Sequence, residues 1–413
     1  MGDSDSIRST ATDRSRGRSG PVIEPHRRRS KAGACSENHL LTRPYVPDVS
    51  EFAFELELCA ALENERDGIV ARQLGASVAS GGGRILDIVH IEPGPAFDRR
   101  TEISPSAIPA AAIESDVGTG RARYWKSCFD CHPERARRAV ERALEIGFFE
   151  RERRGGRDYV RQTTRYPKWA GRVLAIENKP DLASPGDLEH QLRLDVSLGL
   201  VDEVVLATES YVTRAHLNRL PDPVGVWRIH SESIDLERSS RGENTSKGGV
   251  NSSESGPNGT DKRVSGIESV ARRALEIEVI REPTPLPADG PGVEPVAYHP
   301  GRTDIAVLSG EEKARVRRRL LERAYGKGWR TYGFPACGRA STASLDGATV
   351  PYCPWLGRIV DAESDCGPTC AGFEALEGDG AEIDLEAERE NRTAWVRDPR
   401  GTKRRQSGLD RFW

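Results

Sequence analysis

Apolar and polar positions alternate with a period of two along residues 171–179, so Val173, Ala175, Glu177 and Lys179 share one face of an extended chain while Leu174, Ile176 and Asn178 share the other. Pro180 removes a ladder donor and ends the strand, and Pro185, Gly186 and Asp187 supply a turn and a helix start. From 188 to 200 the period changes to that of a helix, with Gln191 and Asp195 on the side of Leu188, Leu192 and Gly199. The run 203–207, Glu-Val-Val-Leu-Ala, predicts a buried strand lying parallel to the first after a short crossover helix. A carboxylate and an ammonium thus leave one strand side by side, and two further polar groups point inward from the helix.

Similar patterns flank this unit. Residues 51–63 predict a helix with Phe52, Leu56, Cys59 and Leu62 on one stripe and Glu55 in its middle, where an acid must be paired, metal-linked or able to reach past the rim to water. After the glycine turn 81–83, Ile85, Asp87, Val89 and Ile91 share one strand face, placing a second acid on an apolar side; it either serves a site, caps a bulge or pairs with an arginine. Residues 133–147 form a basic amphipathic helix and 148–162 two short strands joined at Gly155-Gly156. This helix and hairpin look like half of a winged helix, with Arg151, Arg153, Arg154 and Arg157 as DNA contacts, or else they carry only a solvated charged surface. Short helical and strand patterns at 215–220 and 224–229 precede a Ser-, Gly- and Asn-rich stretch, and a strand resumes at Leu275. In the charged helix 311–325, Arg315, Arg318, Arg319 and Arg323 read as phosphate contacts or as a solvated face, and Glu311 to Lys313 as a solvated turn.

Composition divides the chain further. It is 36% hydrophobic with 41 glycines in 413 residues, too polar to be folded throughout. The organisation expected is a disordered basic tail (1–50), an α/β core (51–230) with an insertion at about 113–165, a low-complexity loop (231–270), core completion with the charged helix (271–335), a cysteine-rich element (336–372) and a disordered tail (373–413). A net charge of -3 names no partner. With no apolar run of 18 residues and no signal segment, a soluble, cytoplasmic protein without a membrane partner is expected, in which cysteines stay reduced or bind metal. Nothing in the sequence fixes an oligomeric state.

The strand bearing Glu177-Asn178-Lys179, followed by a helix with an inward Gln191, resembles the core of the PD-(D/E)xK nuclease superfamily, and its Lys-to-Gln spacing is similar to that of the RecB-like branch. The position four residues after the glutamine, a tyrosine in that branch, holds Asp195 here. Residues 51–335 also look like an uncharacterised family from salt-loving archaea, a resemblance that implies no activity. The nuclease resemblance implies a restriction-endonuclease-like α/β/α core with a mixed sheet, and metal-dependent hydrolysis of phosphodiester bonds in DNA. It makes Asp87 the motif aspartate of the preceding strand and Glu55 the glutamate of the first core helix. Asp87 and Glu177, with a contribution from Glu55, would hold Mg²⁺ or Mn²⁺, hard cations that take carboxylate oxygen. Lys179 would orient the attacking water, Gln191 would position Lys179 or a phosphate, and Asp195 would at most assist. The alternatives are a non-catalytic DNA-binding regulator or an inactive nuclease-like scaffold, in which Glu177 and Lys179 form only a same-face salt bridge.

Two cysteine groups remain. Cys128, Cys131 and His132 match a haem-attachment pattern, which the absence of an export signal argues against. Cys337, Cys353, Cys366 and Cys370, separated by 15, 12 and 3 residues, lie among prolines and glycines in a segment read as too poor in apolar residues for a core. A structural zinc in Cys₄ geometry would supply the missing folding energy; an iron-sulfur cluster, as RecB-like nucleases can carry, a redox role, and four unligated thiols are the other readings.

Overall fold

The computed structural model describes residues 50–76, 84–231, 275–287 and 289–375. The expected basic tail (apart from Ser50), the glycine turn 81–83, most of the low-complexity loop and the tail beyond 375 lie outside the described residues. Helix α1 (Glu51–Glu65) leads into strands β1 (Ile69–Gly75) and β2 (Ile85–Pro93). Short helices α2 (Phe97–Thr101) and α3 (Ala110–Ile113) follow, and then, in the expected insertion, strand β3 (Arg123–Tyr124), helix α4 (Pro133–Glu145), and the hairpin β4 (Phe149–Arg154) and β5 (Arg157–Gln162). The unit read first from the sequence is β6 (Ala170–Asn178), α5 (Leu188–Leu198) and β7 (Glu203–Thr208), continued by α6 (Arg214–Leu217), β8 (Gly225–Ser231) and β9 (Leu275–Arg281). Hairpin β10 (Gly292–His299) and β11 (Arg302–Leu308), helix α7 (Gly310–Lys327), and strands β12 (Ser341–Leu345), β13 (Ala348–Cys353) and β14 (Arg358–Ile359) complete the described chain.

Six strands form one mixed sheet in the order β1-β2-β6-β7-β8-β9. The pairs β6-β7 and β7-β8 are parallel, joined by the crossovers through α5 and α6, and the other three pairs are antiparallel. The alternation along β6 sets both faces. Val173 and Ala175 pack with Leu188, Leu192 and Leu198 of α5 and with Val316, Leu320 and Ala324 of α7, whereas Leu174 and Ile176 pack with α1. Each valine, leucine or isoleucine so removed from water contributes about 1.5–3 kcal/mol, so the two layers together dominate stabilisation of the sheet. Helix α5 stops at Gly199, whose φ of 55° is left-handed and where a Cβ would lie 2.9 Å from Lys313 Nζ. The fold is mixed α/β, and among the described residues no helix is long and apolar enough to cross a membrane.

Three local expectations change. Helix α1 does not carry a single buried stripe: every residue from Ala53 to Leu62 is buried, because the helix is covered on its outer side as well. The cover is the cysteine-rich segment, which has an apolar side after all; Ala343, Leu345, Ala348, Val350 and Ile359 of the β12-β13-β14 sheet join the α1 cluster together with Trp329 and Tyr332. A helix apolar enough to be buried all round needs such a second layer. Lys313 is not a solvated turn residue either. It is buried, and its Nζ donates to the Pro287 carbonyl at 2.6 Å. The insertion has its own small core, in which Val140 and Ala143 of α4 meet Phe148, Phe149 and Val160 of the hairpin. Cys128 and His132 are local devices there: the thiol donates to the Tyr124 carbonyl, and the His132 ring caps α4 by accepting from Glu134 N–H.

Candidate active site

Register alone brings the two predicted acids together. Ile88 of β2 pairs with Ile176 of β6, so in an antiparallel ladder the preceding Asp87 faces the following Glu177 on the same side of the sheet. The recorded β2-β6 pairing begins at that point, and Asp87 Oδ2 accepts from the Asn178 backbone N–H at 3.0 Å. On the other side β1 is irregular at the same level. Gln73, between the pairs Arg72-Ile88 and Leu74-Leu86, has a left-handed φ of 53°, a conformation that costs a non-glycine residue about 1–3 kcal/mol and collects at functional sites.

The helix α5 brings Asp195 over this pair, and Arg84, just before β2, joins the groups. Its Nη2 lies 2.6 Å from Glu177 Oε2, while Nε and Nη2 hold the Asp195 carboxylate at 2.7 and 2.6 Å. All three side chains are buried. Lys179, one residue beyond β6, leaves toward α1 and stands 3.5 Å from Glu51 Oε1. Four carboxylates (Asp87, Glu177, Asp195 and Glu51) therefore share two cations, Arg84 and Lys179. Burial and then the charge of Glu177 push Asp87 up to about 8, against the lowering effect of the Asn178 N–H. Burial also raises Glu177 and Asp195, with Arg84 opposing it in each case.

The other predicted residues are distributed as follows. Glu55 is near enough to raise Asp87 by its charge but is itself engaged: Arg72 binds it through two hydrogen bonds of 3.1 and 2.8 Å, and Gln73 Nε2 donates to it at 2.8 Å. It supports the strained Gln73, and through it the β1 edge, instead of offering a free ligand. Gln191 is half-buried on α5, with no side-chain hydrogen bond to Lys179 among the described residues. On the hairpin, Arg154 pairs with Glu152 and Arg161 with Glu150, so much of its positive charge is answered locally. Arg84, Asn178 and Glu51 are members that the sequence pattern did not single out. Arg84 precedes the alternating run and its partners lie 93 and 111 residues away, which no local period can reveal.

A hard divalent cation commonly uses one or two carboxylates and keeps water or phosphate oxygen for the remaining positions. Asp87 and Glu177 suit that role in donor type and relative position, and among the described residues no ion pair engages Asp87. Among the described residues no group of three His, Cys, Asp or Glu side chains is arranged to hold a metal ion, so the acid pair would have to be completed by water and substrate.

The four C-terminal cysteines occupy one region. Cys337 forms a bridge with Ala375, its Sγ accepts from Glu374 N–H at 3.5 Å, and Cys353 ends β13. Against the upward push of burial, the N–H groups of Glu374, Arg339 and Ala340 bring the Cys337 thiol below its ordinary value. Burial, then Cys353, Cys337, Asp365 and Cys370, push Cys366 up to about 11, so Cys366 feels the other three thiols.

No curated protein and no solved structure matches the chain. A family model does, described as a family of unknown function (DUF5787), over residues 69–375. That span runs from the start of β1 to the bridge partner of Cys337 and includes the acid pair, Arg84, the insertion and all four C-terminal cysteines. The chain belongs to this family of unknown function, DUF5787.

Proposed function

We propose that the protein is a metal-dependent nuclease, of the PD-(D/E)xK type in its core, that hydrolyses phosphodiester bonds in DNA. The observation that carries this reading is the confrontation of Asp87 and Glu177 across β2 and β6, in a buried place holding more carboxylates than cations. Together these two would hold Mg²⁺ or Mn²⁺. The bound ion would supply a water of lowered pKa and neutralise phosphate charge. Lys179 adds a cation on a flexible stem, with its side chain one-quarter exposed and only a long contact to Glu51, so it can be given up to a phosphate or a water. Asp195 keeps Arg84 beside Glu177, which fixes the orientation of that carboxylate. The same reading keeps a structural zinc at Cys337, Cys353, Cys366 and Cys370, supported by the influence of the other three thiols on Cys366; as placed, the four are not arranged to hold a metal ion, so binding would have to draw them together.

A second reading has a specific observation behind it. Arg84 already neutralises Glu177 and Asp195, and Lys179 is engaged by Glu51, as an inactive nuclease-like scaffold or DNA-binding regulator would have it. Incubation with linear and circular DNA in Mg²⁺ or Mn²⁺, beside EDTA controls and Lys179→Ala, separates the two. Cutting that needs metal and disappears in Lys179→Ala supports the nuclease. Binding without cutting by the unmodified chain supports the regulator.

A further inference from the structure

Helices α4 and α7 flank α3 and present two rows of cations toward one another. On α7 the row is Arg315, Arg319, Arg323 and Lys327, each four residues from the last; on α4 it is Arg135, Arg138 and Arg142. Three adjoining cavities, of about 390, 790 and 500 Å³, are lined by these residues and share them: Arg323 borders the first two, Arg135 and Arg319 the first and third. The floor of the first is small, with Ala107, Ala110 and Ala111 leaving room for a group to enter between the arginines. The α7 row spans about 18 Å, the axial length of roughly five base-pair steps.

Carboxylates near this cleft are mostly engaged. Glu322 accepts from Arg100, Tyr166 and the Ile108 N–H; Glu311 pairs with Arg315, Glu145 with Arg142, and Glu114 lies 3.7 Å from Arg318. Asp130 lies at the rim of the third cavity. Arg135, Arg138 and Arg319 form no ion pair among the described residues, and burial together with neighbouring Arg135, Arg323 and Arg315 lowers the pKa of Arg319. At one end Lys327 donates to the Gln73 carbonyl, and Arg323 reaches Gly75 at 3.4 Å. The cleft thus meets the β1 edge at the level of Asp87.

We infer that the α4-α7 cleft, and not the β4-β5 hairpin, is the surface on which this protein grips the phosphodiester backbone of duplex DNA. Arginines without anionic partners, at helical spacing, suit phosphates. Alanines instead of aromatic side chains line its central part, with Phe129 only in the third cavity, so the centre offers no platform for stacking unpaired bases and suits a duplex whose bases are already stacked. The choice of DNA rests on the nuclease reading; the grip on phosphate does not.

The test is binding of the full chain to a fluorescent 20-base-pair DNA by anisotropy, in EDTA and across a salt series, so that no cutting is needed. Arg135→Ala/Arg138→Ala/Arg319→Ala should bind at least tenfold more weakly, with the slope of log affinity against log salt reduced by about 2–3. The corresponding lysine variants, which keep the charges, should retain most of the binding. Arg151→Ala/Arg153→Ala on the hairpin should change little. An unaltered slope in the triple alanine variant, loss confined to the hairpin variant, absence of DNA binding by the unmodified chain, or tighter binding of single-stranded DNA or duplex RNA would each overturn the inference. Failure to cut DNA in Mg²⁺ while the cleft variants lose binding would refute only the nuclease.

Discussion

Replacing Asp87 by Asn should stabilise the metal-free protein, and by more the higher the pH. The isosteric amide keeps an oxygen to accept the Asn178 N–H but removes a charge from a buried place where Glu177 already repels it. Raising this carboxyl from its ordinary 3.8 to about 8 sets a ceiling of about 6 kcal/mol on the effect. Because Asp87 is only partly buried and can relax toward solvent, about 2 kcal/mol is the expected gain. The sign follows from linkage. A carboxyl whose folded pKa is raised contributes stability that is fully present below about pH 4 and is lost as pH rises toward about 8. Urea unfolding in EDTA at pH 5 to 9 should therefore show a difference between variant and parent that widens to about pH 8 and then levels. Magnesium should narrow it from the other side, since ligand at a hundredfold excess over its dissociation constant stabilises the parent by about 2.7 kcal/mol. A variant less stable than the parent at pH 8, or a difference independent of pH, would refute the argument that Asp87 is an uncompensated acid.

Arg84→Met removes the cation shared by Glu177 and Asp195, so it should cost about 3–5 kcal/mol in EDTA and gain more from Mg²⁺ than the parent does, as thermal unfolding would report. The same arithmetic applies away from the site: Arg100→Met strands Glu322, fully buried among Tyr166 and the Ile108 N–H, and should cost about 3–5 kcal/mol, much of it recovered in Arg100→Met/Glu322→Leu by urea unfolding. Chain purified without chelator should carry one zinc by elemental analysis, absent from Cys366→Ser; iron with visible absorbance, or no metal, would defeat that assignment.

The strand-turn-helix-strand unit was legible because local periods of two and 3.6 specify β6, α5 and β7 regardless of what lies elsewhere. Two acids on apolar faces were legible for the same reason, and only the register of β2 on β6 was needed to set Asp87 opposite Glu177. What local pattern could not give were the partners. Arg84, Arg72 and Glu51 look like ordinary surface residues until strands distant in sequence are laid side by side. The apolar residues of 341–359 are few and scattered, so the segment seemed coreless; they suffice because α1 supplies the other half of the packing. Lys313 is a similar case, its buried ammonium satisfied by a carbonyl 26 residues away, that of Pro287.

The burial of α1 on both sides has a consequence for the order in which the protein can form. During synthesis the first helix and the six-stranded sheet emerge well before residues 341–359, so the outer side of α1 stays uncovered while most of the chain is made. Until the small C-terminal sheet arrives, the nascent protein exposes an apolar helix to chaperones and to other copies of itself. Chains that stall or are cut before residue 341 should therefore be recovered as aggregates and not as a smaller folded core.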